Sequence, residues 1–456
     1  MRRYETLPNP GSLPAQAIPY LTPEDFQATL SSQVGTGRRI GMLAILPALE
    51  TFEHFNGTHS PLLLVVVIAD DLQRFIVFMT DAVVLEKLAL EKGEIEPFMR
   101  ALGRHSDPGI PPPSISPGYA LQESNAQGIY DYWMEGPIIL KARYRRHAAL
   151  SSLSQALLRE KSPLALLQCA TALPLAQGCA FAMLSEALMD SFSGETQNAR
   201  FILLELERSR HYLSMLRDIA LELGLHFLAR AYATNIAQLS ILLERLTGTK
   251  TGRWSILPGR TIFRPIKIGA FDILSDIKKQ NRRLLNHPLV VSRLDGIGVI
   301  TPESADELAL SGFGARACGR PVDIRKGLPY DFYRHIDLDF SLASGGSVYT
   351  RTAIAAKEVE AALSAINGQV LADEHLCHAV LPFKDHHFAI AAVEAPSGQL
   401  LHAALSDGKD QIAWYQMSDA ITTHALVMEK ALTGAFFDDR HLIIKSFALH
   451  NVIYTP

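Results

Sequence analysis

The sequence predicts an α+β protein: a mainly helical bundle with small β-sheets attached, preceded by a smaller α/β domain. Two long tracts, "TQNARFILLELERSRHYLSMLRDIALELG" and "FLARAYATNIAQLSILLERLTG", repeat apolar residues at helical spacing and close on Gly224 and Gly248. The β-rich runs gather before residue 105, and the proline-dense "GRHSDPGIPPPSISPG" (Gly103 to Gly118) excludes regular structure between the two parts. The expected division is a tail over 1–20, a small α/β domain over 21–105, a linker over 106–118 and the main domain over 119–456.

In chain order, Thr22 followed by Pro23 predicts a capped helix at the start of the first domain. "RIGMLAILPAL", "PLLLVVVIAD" and "RFIVFMTDAVV" then read as three strands. "IYDYWMEGPIILKARYRR" reads as a hairpin turning at Glu135-Gly136. A helical tract begins near Ser151 and runs into the two long helices. "AFDILSDIKKQNRRLLNH" and "KEVEAALSAINGQ" supply two more helices. The segment from His386 to Ser418 alternates through turns at Ser397-Gly398 and Asp407-Gly408, which predicts a three-stranded meander.

Composition narrows the function classes. Of 456 residues 48% are apolar and 20% charged, which is ordinary for a globular protein, and the net charge of −4 gives no case for nucleic acid. The longest apolar run, Pro61 to Ala69, is far short of a membrane span. The N-terminus has two arginines but no apolar stretch behind them, so it does not read as a secretory signal and a cytoplasmic location is expected. Cys169, Cys179, Cys318 and Cys377 form no C-x-x-C pair and are expected as buried thiols. There is no Walker loop, no G-x-S-x-G, no H-E-x-x-H and no G-x-G-x-x-G behind a strand. His386-His387 lies in a strand-like run, so the two rings point to opposite faces and cannot share a metal. Glu205, Glu207 and Arg208 sit mid-helix, where a solvated ion-pair face is the commoner arrangement.

Three stretches in order are more specific. "LLELERSRHYLSM" with "ILLERLTGTKTGRWSILPG", then "RLDGIGVITPESADELALSGFGARACGRPVDIRKGLPYDFY", then "AAVEAPSGQLLHAAL" resemble the large subunit shared by respiratory complex I and the membrane-bound, energy-converting nickel–iron hydrogenases. Arg316, Gly319, Asp323, Arg325, Lys326, Pro329, Tyr330, Asp331 and Tyr333 match the central motif. Glu394, Pro396, Gly398 and His402 match the C-terminal sheet. With the α/β module in front, the chain is similar to the fused large subunit of formate hydrogenlyase-type enzymes, the module corresponding to complex I's thirty-kilodalton subunit.

The resemblance implies a class, NADH:quinone oxidoreductase or hydrogenase-like, in which NAD and quinone belong to the assembly. Hydrogenases of the family hold nickel and iron with two C-x-x-C pairs. Those ligand positions fall here at Ala176, Cys179, His450 and Ile453, and the preceding arginine falls at Pro174. One thiolate of four is too few for a bridged metal centre, so hydrogenase activity is expected to be absent and Cys179 to be a relic. The chain ends at Pro456, just beyond the second pair, and on this reading lacks an extension removed during nickel insertion. Complex I's quinone ligands are not matched either: the loop "PGYALQESNAQGIYDYW" lacks the family's histidine motif, and the tyrosine's place falls around Gln177. Tyr119, Tyr130 and Tyr132 are the nearby hydroxyls available to substitute.

Glu205, Arg316, Asp323 and Arg325 are the candidate functional residues, with Glu207 and Arg208 beside them, linking the former cofactor cavity to a membrane arm. The chain itself is expected to bind no cofactor or metal, with quinone as a possible ligand and an iron–sulfur cluster in a partner. Expected partners are a small iron–sulfur subunit and membrane ion-translocating subunits. No direct membrane span is expected, and the location is peripheral, on the inner face of the cell membrane. Two readings stay open: electron transfer to quinone or another acceptor coupled to ion translocation, or a catalytically silent scaffold of an ion-translocating complex.

Overall fold

The computed structural model describes residues 38–40, 43–46, 65–68, 84–89, 119–124, 128–146, 174–189, 197–267, 271–308, 310–327, 329–336, 338, 341–371, 382–383, 387–406 and 411–449. In the N-terminal segment β1 (Arg38–Ile40), β2 (Leu43–Leu46) and β3 (Val65–Ile68) form one antiparallel sheet. The stretch over 39–49, expected as one strand, therefore supplies two, on either side of Gly41-Met42. The stretch at 74–84 is described only at its last residue, where β4 (Val84–Ala89) begins. Residues 74–83, the helix expected at Thr22, the linker over 106–118 and the tract from Ser151 to residue 173 lie outside the described residues.

β5 (Tyr119–Ser124), β6 (Gly128–Glu135) and β7 (Ile138–Arg146) make an antiparallel meander. The turn after Glu135 falls where expected, on Gly136 at φ 55, but β5 occupies a stretch expected as loop. Its residues "YALQES" alternate weakly, and its pairing with β6, from Tyr119↔Met134 to Ser124↔Ile129, supplies the structure that its own pattern lacks.

The helices that follow are α1 (Leu175–Met189), α2 (Gln197–Glu222), α3 (His226–Thr247), α4 (Phe271–Leu285), α5 (Pro288–Leu294), α6 (Pro302–Glu307), α7 (Gly312–Ala317), α8 (Ile324–Gly327) and α9 (Val348–Ile366). α2 ends in a Schellman arrangement: Gly224 N–H reaches Leu221 O at 3.0 Å and Leu225 N–H reaches Ala220 O at 2.8 Å. Gly248, at φ 83, caps α3 in the same left-handed conformation. Both glycines stop their helices as the sequence predicted.

Short strands β8 (Ile256–Leu257), β9 (Arg260–Thr261), β10 (Ile266–Lys267) and β11 (Val370–Leu371) pair as two ribbons, β8 with β9 and β10 with β11. The C-terminal meander is β12 (His387–Ala395), β13 (Gly398–Ser406) and β14 (Ile412–Asp419). β4 pairs with β12 and extends this sheet to the order β14-β13-β12-β4, so the segment before the proline-rich stretch contributes a strand to it. α10 (Ala420–Leu432) and α11 (Arg440–Lys445) follow.

α2 is the axis of the bundle. It packs against α1, α3 and α9, and from Ala199 to Leu216 its residues are buried apart from Glu207 and Arg210. A helix buried on all sides is ordinarily apolar. This one carries Arg200, Glu205 and Arg208 into the core, and each must find a partner there. α1 packs on α2 and on the face of β12 and β13.

Candidate functional site

Of the four candidate residues, Glu205 comes from α2, Arg316 from α7, and Asp323 and Arg325 from the start of α8. The structure brings all four into one buried cluster. Arg316 Nη1 donates to Asp323 Oδ2 at 2.6 Å, and Arg325 Nη2 donates to the same oxygen at 2.7 Å. Arg325 Nη1 reaches Glu205 Oε1 at 3.3 Å, Arg208 Nε reaches that oxygen at 3.1 Å, and Tyr333 Oη donates to it at 2.5 Å. Arg208 also donates to the backbone carbonyls of Glu394 at 2.6 Å and Ala395 at 3.3 Å, which ties α2 to the end of β12.

Two further carboxylates complete the cluster. Glu358 of α9 bridges Arg316 (3.0 Å) and Arg325 (2.9 Å). Glu394 of β12 lies 3.7 Å from Arg316 Nη1, and its Oε2 accepts the Ile324 N–H at 3.2 Å. Sequence reasoning had no role for Glu358. Its signal was its place in a stripe: Arg351, Ile354, Ala355, Glu358 and Ala362 recur at three- and four-residue spacing, and all are buried.

Close backbone approach positions these groups. Gly312 opens α7 at φ 69, and a Cβ there would sit 2.6 Å from the Cα of Gly398 in the β12–β13 turn. Only two glycines let the helix carrying Arg316 lie against the hairpin carrying Glu394.

Three guanidinium groups face four carboxyls. Burial opposes ionisation of Asp323, but Arg325 and Arg316 beside it hold its carboxyl down at about 2. Glu358 is lowered by Arg316 and Arg325 against the same burial. Burial and the Asp323 charge push Glu394 up to about 8 although Arg316 opposes them. Its Oε1 is buried and makes no hydrogen bond. At neutral pH Glu394 is therefore held in its protonated form, which leaves three other carboxyls beside the three guanidinium groups. The solvated-face arrangement of Glu205 and Arg208 is thereby corrected: the two do pair along α2, but both are buried, and Glu205 also takes Arg325 and Tyr333 from other elements.

Glu207 points elsewhere. Its Oε1 accepts the Leu175 N–H at 2.7 Å and its Oε2 the Ala176 N–H at 2.9 Å, so it caps the first turn of α1 from outside the helix. α1 carries the two described positions, Ala176 and Cys179, that the resemblance sets against metal ligands. Ala176 and Cys179 are buried, and the Cys179 Sγ lies 3.7 Å from Met183 Sδ. A thiol early in a helix can be acidic. Here burial, and after it the Asp331 charge, push Cys179 well above its ordinary value. Cys318 is buried too; Cys169, Cys377, His450 and Ile453 lie outside the described residues. Among the described residues no group of three or more His, Cys, Asp or Glu is placed to hold a metal.

Two smaller polar groups flank α1. Glu186 holds Arg200 of α2 through both carboxylate oxygens and accepts the Gly259 N–H at 2.6 Å. Asp331, at φ 45 and 3.9 Å from Arg200, is pushed up to about 6 by burial. On the other side, Tyr415 Oη lies 2.6 Å from His402 Nδ1, and His402 Nε2 lies 3.2 Å from Gln177 Oε1. Burial lowers His402 to about 3, so the ring is neutral, donating to Gln177 and accepting from Tyr415. Register places Ala391 opposite His402 and Glu394 opposite Gln399, so His402 and Glu394 occupy opposite faces of the sheet. Of the tyrosines named from the sequence, Tyr130 packs on Tyr132 and Tyr144, and Tyr132 on Phe437.

Residues 261–376, which include α7, α8 and α9, match the family described as the respiratory-chain NADH dehydrogenase 49 Kd subunit. The chain is 28% identical over 167 residues to an NADH-quinone oxidoreductase subunit of Thermosipho melanesiensis, covering 35% of this chain and 46% of that one. It is 27% identical over 169 residues to the carbon monoxide-induced hydrogenase of Rhodospirillum rubrum, covering 35% and 45%. The chain thus spans less than half the length of these relatives. In fold it is similar to a component of the membrane-bound sulfane sulfur reductase, an archaeal respiratory membrane complex, with a TM-score of 0.63 at 21% identity over 72% of this chain and 96% of that one. Matched segment, relatives and fold agree with the motifs: over part of its length this chain is similar to the respiratory-chain NADH dehydrogenase 49 Kd subunit and to a carbon monoxide-induced hydrogenase, and its fold is like that of a component of a respiratory membrane complex.

Proposed function

We propose that the chain is a peripheral subunit of a membrane-associated, complex I-like or hydrogenase-like assembly. It serves electron transfer from an iron–sulfur partner to quinone or another acceptor, coupled to ion translocation, without a nickel–iron centre of its own. The observation that carries this reading is the buried cluster of Glu205, Arg208, Arg316, Asp323, Arg325, Glu358 and Glu394, which joins five elements around α2. A set with one protonated carboxyl changes its hydrogen bonding when a neighbouring charge changes. That is the behaviour required of a relay between a redox site and an ion path.

Among the described residues, the two at the aligned positions do not fit a nickel–iron group. Cys179 is a protonated, packed thiol, Ala176 offers no ligand, and its N–H already serves Glu207. No step is assigned to such a centre. No helix among the described residues is long and apolar enough to cross a membrane, which supports attachment through partners.

The scaffold reading has its own observation in the same place: every residue of α1 except Ala187 is buried. One experiment separates the two. Quinone reduction and ion transport are measured on the purified assembly carrying Glu205→Gln, after its subunit composition is verified. A relay predicts loss of coupled transport in an intact assembly. Unchanged transport, with no quinone reduction in the parent assembly, overturns the redox reading and leaves the scaffold.

A further inference from the structure

Between the end of α3 and the end of β10, residues 248–267 hold Lys250, Arg253, Arg260, Arg264 and Lys267 and no Asp or Glu, in a chain of net charge −4. The segment is folded back on itself. Ile262 N–H donates to Ser255 O at 2.6 Å, Thr249 Oγ1 donates to Arg253 O at 3.4 Å, and Arg264 N–H donates to Leu246 O at 2.8 Å. One side is fixed to the core. Gly252 is so close to Leu175 that a Cβ would meet its Cδ1 at 2.8 Å, Gly259 donates to the buried Glu186, and Arg200 donates to Leu257 O at 3.3 Å.

The other side faces out. Lys250, Arg260 and Arg264 are exposed and Arg253 is partly so. Among them Trp254 is 50% exposed and Ile262 40%. Trp254 also sits at φ 69, in the left-handed region that a bulky side chain occupies only when its surroundings impose it. A solvated turn would place glycine or asparagine there. An indole held out at a conformational cost, in a segment that also exposes cationic side chains, has the composition of an interface hot spot.

We propose that this segment is a docking surface for an acidic stretch of a neighbouring protein subunit, with Trp254 as the apolar anchor and Lys250, Arg253, Arg260 and Arg264 as its charge-matching rim. Three of the four cations are arginines, whose planar forks pair with carboxylates through two hydrogen bonds. The anchoring to α1 pre-organises the surface, as protein docking favours and a lipid surface does not require. The proposal rests on the reading of the chain as a subunit of an assembly, and not on any redox role.

The test places a photoreactive benzoyl-phenylalanine at position 254 of the full chain in its native assembly, followed by irradiation and sequencing of the cross-linked peptide. A cross-link to one segment of net negative charge is expected. Its yield should fall at least fivefold in Arg253→Glu/Arg260→Glu/Arg264→Glu and recover when acidic residues of that segment are changed to lysine. Circular dichroism confirms that the triple variant stays folded. A cross-link to lipid or to a neutral or basic segment, or no cross-link in an intact assembly, overturns the docking surface and leaves the subunit reading standing. A chain that purifies alone from its native source overturns both.

Discussion

Two buried regions of this chain, about equally far from water, have opposite chemistry. Around α2 seven ionisable side chains from five elements neutralise one another, and each guanidinium touches at least one carboxylate. On α1 a lone thiol is buried with Met183 at its sulfur, and burial, with the Asp331 charge after it, keeps it protonated. Burial raises the cost of any charge, so a charge survives in the core only with partners, and an unpartnered acid survives only as its neutral form. Removing one member therefore has different consequences. In the cluster it leaves other charges stranded; on α1 it leaves a small void.

The largest expected effect is Arg316→Ala. It leaves Asp323 and Glu358 with Arg325 as their one remaining guanidinium partner, and breaking a buried pair in this way costs about 3–5 kcal/mol. Urea unfolding of the full chain measures it; a loss under about 1 kcal/mol would show that the cluster is not the paired unit described.

Next comes a pH effect with a definite sign. Glu394 has a folded pKa of about 8, above the ordinary 4.5, so the folded state holds a proton that the unfolded state releases. Stability from this group is full below pH 4.5 and falls as pH rises towards 8, by up to about 1.4 kcal/mol per pH unit. Glu394→Gln keeps the shape and removes the titration, so its unfolding free energy should decline less than the parent's between pH 6 and 8. Parallel curves would mean that Glu394 is ionised in the cluster. Asp323 acts in the opposite sense: held at about 2, it contributes above pH 3.8 and its contribution is lost as pH falls towards 2.

Glu207→Ala tests the border between the regions, since Glu207 belongs to α2 but serves α1. It uncaps the Leu175 and Ala176 N–H groups and should cost about 1–2 kcal/mol, with the loss of amide exchange protection confined to the first turn of α1. Protection lost equally throughout the bundle would mean that Glu207 holds the helices together instead of capping one.

The smallest effect is expected from Cys179→Ala, at about 1 kcal/mol, with assembly and transport intact. In the parent protein Cys179 should resist alkylation until denaturant opens the bundle. Loss of activity with fold and assembly intact would give the thiol a chemical role and remove the contrast between the two regions.

The helices and the C-terminal meander were legible because each carries its own period and its own stop: Gly224, Gly248, and the turn before Gly398. β5 was not, because a weakly alternating strand is defined by the neighbour it pairs with. Glu205, Arg316, Asp323 and Arg325 were legible through motifs, whereas Glu358 stood out only as a carboxylate in an apolar stripe. Glu207 and Glu205 are two residues apart on one helix and look alike in sequence. Two residues turn the side chain through about 200° on a helix, so one enters the cluster and the other reaches α1.

By itself, then, the sequence determined the helical bundle, its glycine stops, the meander and the kind of large subunit this chain resembles, because periodicity, capping and motif spacing are local properties. Only the tertiary structure decided which charges are buried, that Glu358 and Glu394 complete the set around Arg316, that Glu394 keeps its proton, and that Glu207 caps α1. Each of those outcomes depends on desolvation and on groups brought together from distant parts of the chain, and neither is written in any single segment.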